Sequence, residues 1–196
     1  MLVAATGNLG KLREFRRILP SYEIISMHQA GFSGDIEETG ETFEENALIK
    51  ARAVMEKTGK AAFADDSGLT VDALGGAPGI YSARYAGENA TDAERIEKLL
   101  SEMKNVPEEE RGAAFVSVIA YVTPEGEEKI FRGECRGRID TVPRGENGFG
   151  YDPVFLIPEK GVSFGEISEE EKNEISHRGR AMRLFAAWLE NEKGGC

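Results

Sequence analysis

The sequence predicts an α/β fold, an elongated mixed β-sheet flanked by helices. Three patterns carry that expectation. Short apolar runs alternate with amphipathic stretches through the first half of the chain. Two runs rich in strand formers, 113–122 and 129–140, are joined by the turn sequence TPEGEE. The last third is written mostly in helical periodicity. Early alternation of strand and helix argues for parallel pairing, and the later hairpin adds antiparallel pairing. There is no long polar linker, internal repeat or low-complexity segment, so residues 1–196 read as a single domain with room for two lobes.

The elements follow in order. Met1 to Thr6 is short and apolar, a buried strand. Leu9, Leu12, Phe15, Ile18 and Leu19 then recur at helical spacing, and Pro20 ends that helix. Tyr22 to Ser26 is a second strand. The stretch 41–60 opens with a capping box, Thr42 capping the backbone and Glu45 reaching back, and Gly59 is its stop. AAFA (61–64) is a buried strand that DDSG (65–68) terminates, and LTVDAL (69–74) is another short extended segment. The glycines and Pro78 make 75–87 a loop. Thr91 and Glu94 form a second capping box before a helix with Ile96, Leu99, Leu100 and Met103 inside. After the hairpin, the Gly-rich stretch 143–153 leads into the strand VFLIP. Ser168 and Glu171 repeat the capping pattern, and 177–190 places Met182, Phe185, Trp188 and Leu189 on one side.

Composition excludes several classes. Hydrophobic residues make up 40% and charged residues 30% of the chain, as in an ordinary soluble protein. No apolar run approaches the roughly 20 residues of a membrane span. The N-terminus lacks the basic region and apolar core of a secretory signal. Two cysteines, Cys135 and Cys196, make neither a disulfide framework nor a metal spacing, and the expectation is a reducing cytoplasm. The net charge of −11 repels a nucleic-acid backbone. Small phosphates are still compatible where positive charge is local. Lys11, Arg13, Arg16 and Arg17 form one such cluster, and Lys172, His177, Arg178, Arg180 and Arg183 form another.

Four stretches could carry chemistry. ATGNLGK, with Thr6, Gly7, Asn8, Leu9, Gly10 and Lys11, joins a strand to a helix N-terminus, where free amides and the helix dipole favour anions. Its glycine spacing fits neither a P-loop nor the dinucleotide fingerprint. By spacing alone, a phosphate site and a plain turn explain it equally well. Glu38 precedes the second helix, where its carboxylate can point into a cleft as a metal ligand. Asp65 and Asp66 end a strand, where α/β proteins bind ligands, and their side chains point to opposite sides. Hard carboxylate oxygens suit Mg²⁺, although an Asx turn would use the same residues. FGYDP places Phe149 in a glycine-flanked loop, able to stack on a flat ring or simply to cover the core. In SHR, Ser176 caps a helix that His177 and Arg178 begin.

Taken in order, TGNLGK, EETGETFEENALIKA, ADDSGLTVDALGGAPGIYSARYAG, NGFGYDP and EKNEISHRG resemble the inosine triphosphate pyrophosphatase family, also called the Ham1 family. The likeness runs from about Val3 to the last helix. One departure is Asn147, where the family often has Gly. The resemblance implies two lobes around a central active-site cleft, a homodimer, and Mg²⁺-dependent hydrolysis of purine nucleoside triphosphates. ITP, dITP and XTP would be cleaved between the α and β phosphates to monophosphate and pyrophosphate. Residue by residue, it implies that Thr6 to Lys11 form the triphosphate loop. Glu38 and Asp66 become metal ligands, with Asp66 also the general base; Asp65 is a supporting candidate only by its position beside Asp66. Ser67 contacts substrate beside them. Asn46 and Lys50, four apart on one helix face, aim at the phosphates. Phe149 stacks on the base, with Gly150, Tyr151 and Asp152 completing its loop, and Lys172, His177 and Arg178 bind substrate. Two rivals are a Maf-like pyrophosphatase for other nucleotides and a sensor without turnover. The SHR and FGYDP segments argue against the first, and the intact Glu38, Asp66, Lys11 and Lys50 against the second.

Overall fold

The structure, a computed structural model, describes residues 1–194, so Cys196 lies outside the described residues. Among the described residues, seven strands form one mixed sheet in the order β2-β1-β3-β4-β5-β6-β7. They are β1 (Leu2–Ala4), β2 (Ile24–Ser26), β3 (Ala62–Val71), β4 (Gly112–Val122), β5 (Glu128–Ile139), β6 (Phe155–Ile157) and β7 (Val162–Ser163). The helices are α1 (Leu9–Ile18), α2 (Phe43–Thr58), α3 (Asp92–Glu102), α4 (Glu169–Ile175) and α5 (His177–Gly194). β1 pairs in parallel with β2 and β3, whereas β5–β6 and β6–β7 are antiparallel. The expected mixture of parallel and antiparallel pairing is therefore present.

Local chemistry explains most boundaries. Thr42 accepts the Glu45 N–H at 3.2 Å to cap α2, and Gly59 closes that helix in the left-handed region at φ 64°. Glu45 reaches back one residue further than expected, to the Glu41 N–H. The Thr91–Glu94 box before α3 is complete in both directions. Two expectations are corrected. Leu9 is 67% exposed, because α1 turns only Leu12 and Phe15 of its first turns into the core. β3 also does not stop at DDSG but runs through it to Val71. Paired, hydrogen-bonded carboxylates can stay inside a buried strand, so Asp65 and Asp66 need no turn to reach water.

The chain divides into two compact units. The first comprises Met1–Asp66, Ser117–Gly133 and the chain from Arg178 onward, and the second Ser67–Val116 and Glu134–His177. Each has its own core. In the first, Phe15, Phe63, Met182 and Phe185 are fully buried, and the Phe63 ring meets those of Phe15 and Phe185 at 5.1 and 5.4 Å. In the second, Phe155 and Phe164 are fully buried at 5.0 Å between rings, among Leu69, Leu99 and Met103. Among the described residues, no helix is long and apolar enough to cross a membrane.

Candidate active site

In the first unit, β1 delivers the chain into the ATGNLGK turn. Asn8 adopts an extended conformation and caps α1, its Oδ1 accepting the Gly10 N–H at 2.8 Å and the Lys11 N–H at 3.2 Å. The Asn8 N–H is itself held by Thr6 Oγ1 at 3.1 Å. Two of the helix-terminal amides that sequence spacing offered to an anion are thus engaged by Asn8. The amides of Gly7 and Leu9 donate to no acceptor among the described residues. His28 is exposed and flanks this turn: a Cβ on Gly7 would lie 3.4 Å from its Nε2.

The Lys11 side chain turns back to β3, where its Nζ pairs with Asp65 Oδ2 at 2.7 Å. Arg178, buried at the start of α5, places Nε 3.3 Å from the same oxygen and Nη1 2.8 Å from Glu14 Oε2. Ser117 on β4 donates to the other Asp65 oxygen at 2.6 Å. Burial alone would raise the Asp65 carboxyl, but Lys11 and Arg178 outweigh it and hold the group well below the usual carboxylate range. At Lys11 burial prevails over Asp65, and Arg178 and Lys50 add like-charge repulsion, so its pKa falls. Sequence reasoning missed Glu14 and Ser117. Glu14 follows Lys11 by three residues on α1, so both share a helix face. Ser117 is the one small polar residue in the otherwise apolar and aromatic run AAFVSVIAYV.

Asp66 lies in the opposite setting. Lys50 on α2 reaches it at 2.7 Å to Oδ1, and the same Nζ contacts Glu38 Oε1 at 2.7 Å. One ammonium therefore serves two carboxylates. Burial lowers Lys50, but Asp66 and Glu38 outweigh it and its pKa rises. Asp66 is left under-compensated, and burial pushes it up despite Lys50. Its Oδ2 is buried with no hydrogen-bond partner among the described residues. Asn46 is fully buried, and its Oδ1 accepts the Gly40 N–H at 2.8 Å, which ties the loop carrying Glu38 to α2. A Cβ on Gly40 would come within 2.8 Å of that same oxygen.

Hard oxygens from Glu38 and Asp66, one of them unpartnered, fit a divalent cation of the Mg²⁺ type, which one or two carboxylates commonly hold together with substrate phosphates. Among the described residues, no group of three or more His, Cys, Asp or Glu side chains is placed to hold a metal on its own.

In the second unit, Phe149 is 45% exposed between Gly148 and Gly150, both at positive φ. The loop is anchored from beneath. Asp152, buried, accepts the Phe149 N–H at 2.8 Å and pairs with Lys172 on α4. Asp92 Oδ2 accepts the Gly150 N–H at 2.7 Å. Tyr151 is buried and donates its hydroxyl to the Ser82 carbonyl at 2.9 Å, so it is a core anchor while Phe149 is displayed. Lys172 Nζ sits 4.6 Å from the Phe149 ring centroid. Asn147, the departure from the family pattern, donates through Nδ2 to the Ile167 carbonyl at 3.1 Å, a bond Gly could not make. His177 stacks on Phe115 at 4.8 Å and 13°. Ser67, next after Asp66 on β3, is half-buried.

The seven-stranded mixed sheet flanked by helices defines an α/β protein. The comparisons then narrow the class. The model of the Ham1 family matches residues 2–188, and the chain belongs to that family. It is 49% identical over 191 residues to the dITP/XTP pyrophosphatase of Bacillus licheniformis, covering 96% of this chain and 97% of that one. It is 52% identical over 186 residues to the dITP/XTP pyrophosphatase of Geobacter sulfurreducens, covering 94% of each. The solved structure of the Staphylococcus aureus Ham1 protein matches with a TM-score of 0.91 at 47% identity, over 97% of this chain and 98% of that one.

Proposed function

We propose that this protein hydrolyses dITP, XTP and ITP to the monophosphate and pyrophosphate, clearing deaminated purines from the nucleotide pool. The substrate class is carried over from relatives whose printed names are dITP/XTP pyrophosphatase. One observation carries the chemistry: Asp66, beside Glu38, keeps a buried oxygen without a partner.

In this reading Glu38 and Asp66 would hold Mg²⁺, which would supply charge neutralisation for the phosphates and a more acidic attacking water. Lys11, Lys50 and the Thr6–Lys11 turn hold the triphosphate and stabilise charge on the departing pyrophosphate. Asp66 accepts the proton of the attacking water. Asp65 is unsuited to that task, because Lys11 and Arg178 already compensate its charge. It sets Lys11 in place instead, and Arg178 has this positioning role beside its part in substrate binding. Asn46 acts through Gly40 on the Glu38 loop.

Phe149 stacks on the base, and Gly150, Tyr151 and Asp152 shape its loop. Lys172 is a donor only, with no acceptor atom. It can donate to the 6-oxygen of hypoxanthine or xanthine but finds no partner in the 6-amino group of adenine. His177 and Ser67 complete the substrate contacts. We further assign a homodimer and a cytoplasmic setting, the latter in keeping with the reduced, buried Cys135. The test is a product assay with Mg²⁺ and a panel of dITP, XTP, ITP, GTP, ATP and dUTP, reading pyrophosphate separately from orthophosphate. Pyrophosphate from the deaminated purines supports the reading. Orthophosphate alone, preference for ATP or dUTP, or no product contradicts it.

A further inference from the structure

We infer that Lys50 is a resident counter-cation that keeps Glu38 and Asp66 from taking up a divalent cation until a nucleotide arrives. The inference deepens the pyrophosphatase reading and rests on it for the nature of the nucleotide.

Lys50 Nζ lies 2.7 Å from Glu38 Oε1 and 2.7 Å from Asp66 Oδ1. Its ammonium therefore stands between the two carboxylates that would hold the metal. The arrangement is braced. Lys50 and Asn46 are both on α2, and Asn46 fixes the Glu38 loop through the Gly40 N–H at 2.8 Å. Glu38 and Lys50 are thus set against each other by one helix. The buried second oxygen of Asp66 faces no protein donor, so the pair keeps affinity for more positive charge. A divalent ion arriving alone would face the ammonium at short range in a partly buried site, where like-charge repulsion is strong. A triphosphate changes the balance. Its oxygens give Lys50 new acceptors and neutralise the added charge, so Lys50 exchanges carboxylates for phosphate. Cation and nucleotide then bind together, and the free enzyme holds neither tightly.

The test needs no turnover. Mn²⁺ is titrated into nucleotide-free wild-type protein, Lys50→Gln and Lys50→Met, with free Mn²⁺ read by electron paramagnetic resonance. Both neutral variants should bind Mn²⁺ roughly tenfold or more tightly than wild type. Equal or weaker binding by the folded variants overturns the inference. Should neither variant fold, wild type decides by thermal melting. Mn²⁺ alone should leave its melting temperature unchanged, and a clear rise without nucleotide overturns the inference. Failure of the pyrophosphate assay with these metal results intact would count against the substrate reading and not against the role of Lys50.

Discussion

Asp65 and Asp66 are consecutive residues of β3 with opposite electrostatic surroundings. Asp65 faces two cations, Lys11 at 2.7 Å and Arg178 at 3.3 Å. Asp66 shares the single ammonium of Lys50 with Glu38. Strand alternation sends the two side chains to opposite sides, which is how neighbours acquire separate partners. One carboxylate is thereby fixed as scaffold, and the other is left with capacity for a cation or a proton.

The first prediction concerns pH. Lys11 and Arg178 outweigh burial at Asp65 and lower its folded pKa. That stability is in force above the unfolded value of about 3.9 and is lost only as pH falls through the depressed folded value. Burial outweighs Lys50 at Asp66 and raises its folded pKa. The raised group favours the protonated fold, so its ionisation costs stability as pH rises past the unfolded value. Asp66→Asn should therefore gain stability relative to wild type as pH rises above about 4 in urea unfolding. In kcat/KM of wild type, the acid limb should lie above the ordinary aspartate value. An acid limb at or below that value contradicts the assignment.

Gly148 stands at φ 76°, and a Cβ there would lie 2.0 Å from Asp152 Oδ2. Gly148→Ala should displace the carboxylate that holds the Phe149 amide and Lys172. Steady-state kinetics should show KM for dITP raised with kcat changed less, and a stability loss of about 1–3 kcal/mol.

Phe149 is half-exposed and contributes little to the core. Phe149→Ala should leave the melting temperature nearly unchanged. Its loss of stacking should weaken binding by about 1–3 kcal/mol per base, read as a higher KM. Lys172→Met should narrow the preference for dITP over dATP, because the donor to the 6-oxygen is gone. An unchanged ratio of kcat/KM values would remove Lys172 from base reading.

Ser117 donates to Asp65 in a fully buried site at 2.6 Å. Ser117→Ala should cost about 1–3 kcal/mol in denaturant unfolding. Its kcat should stay close to wild type, because Ser117 steadies the scaffold and touches no substrate.

Much of this was legible in the sequence. The Thr42 cap, the complete Thr91–Glu94 box, the Gly59 stop and the apolar face of α5 follow from local rules, and local rules are what single residues encode. The DDSG segment misled because Asp and Gly ordinarily break strands. Here Lys11, Arg178, Ser117 and Lys50 arrive from four other elements to make buried aspartates tolerable. The same limit hid Glu14. Its partner Arg178 stands far along the chain, and only folding joins them. Leu9 matched the helical period but is the first residue of α1 and stays exposed, while Leu12 and Phe15 are buried.

The unequal roles of the two aspartates are tested most directly by Asp65→Asn and Asp66→Asn assayed side by side for kcat on dITP with Mg²⁺ and for unfolding free energy. Asp66→Asn should fold normally and lose turnover by about 10²–10⁴-fold, the range for a positioned acid–base group. Asp65→Asn should lose about 3–5 kcal/mol of stability, since it leaves Lys11 and Arg178 without their buried partner. Near-normal turnover in Asp66→Asn, or a fully stable Asp65→Asn that has lost only turnover, would contradict the account.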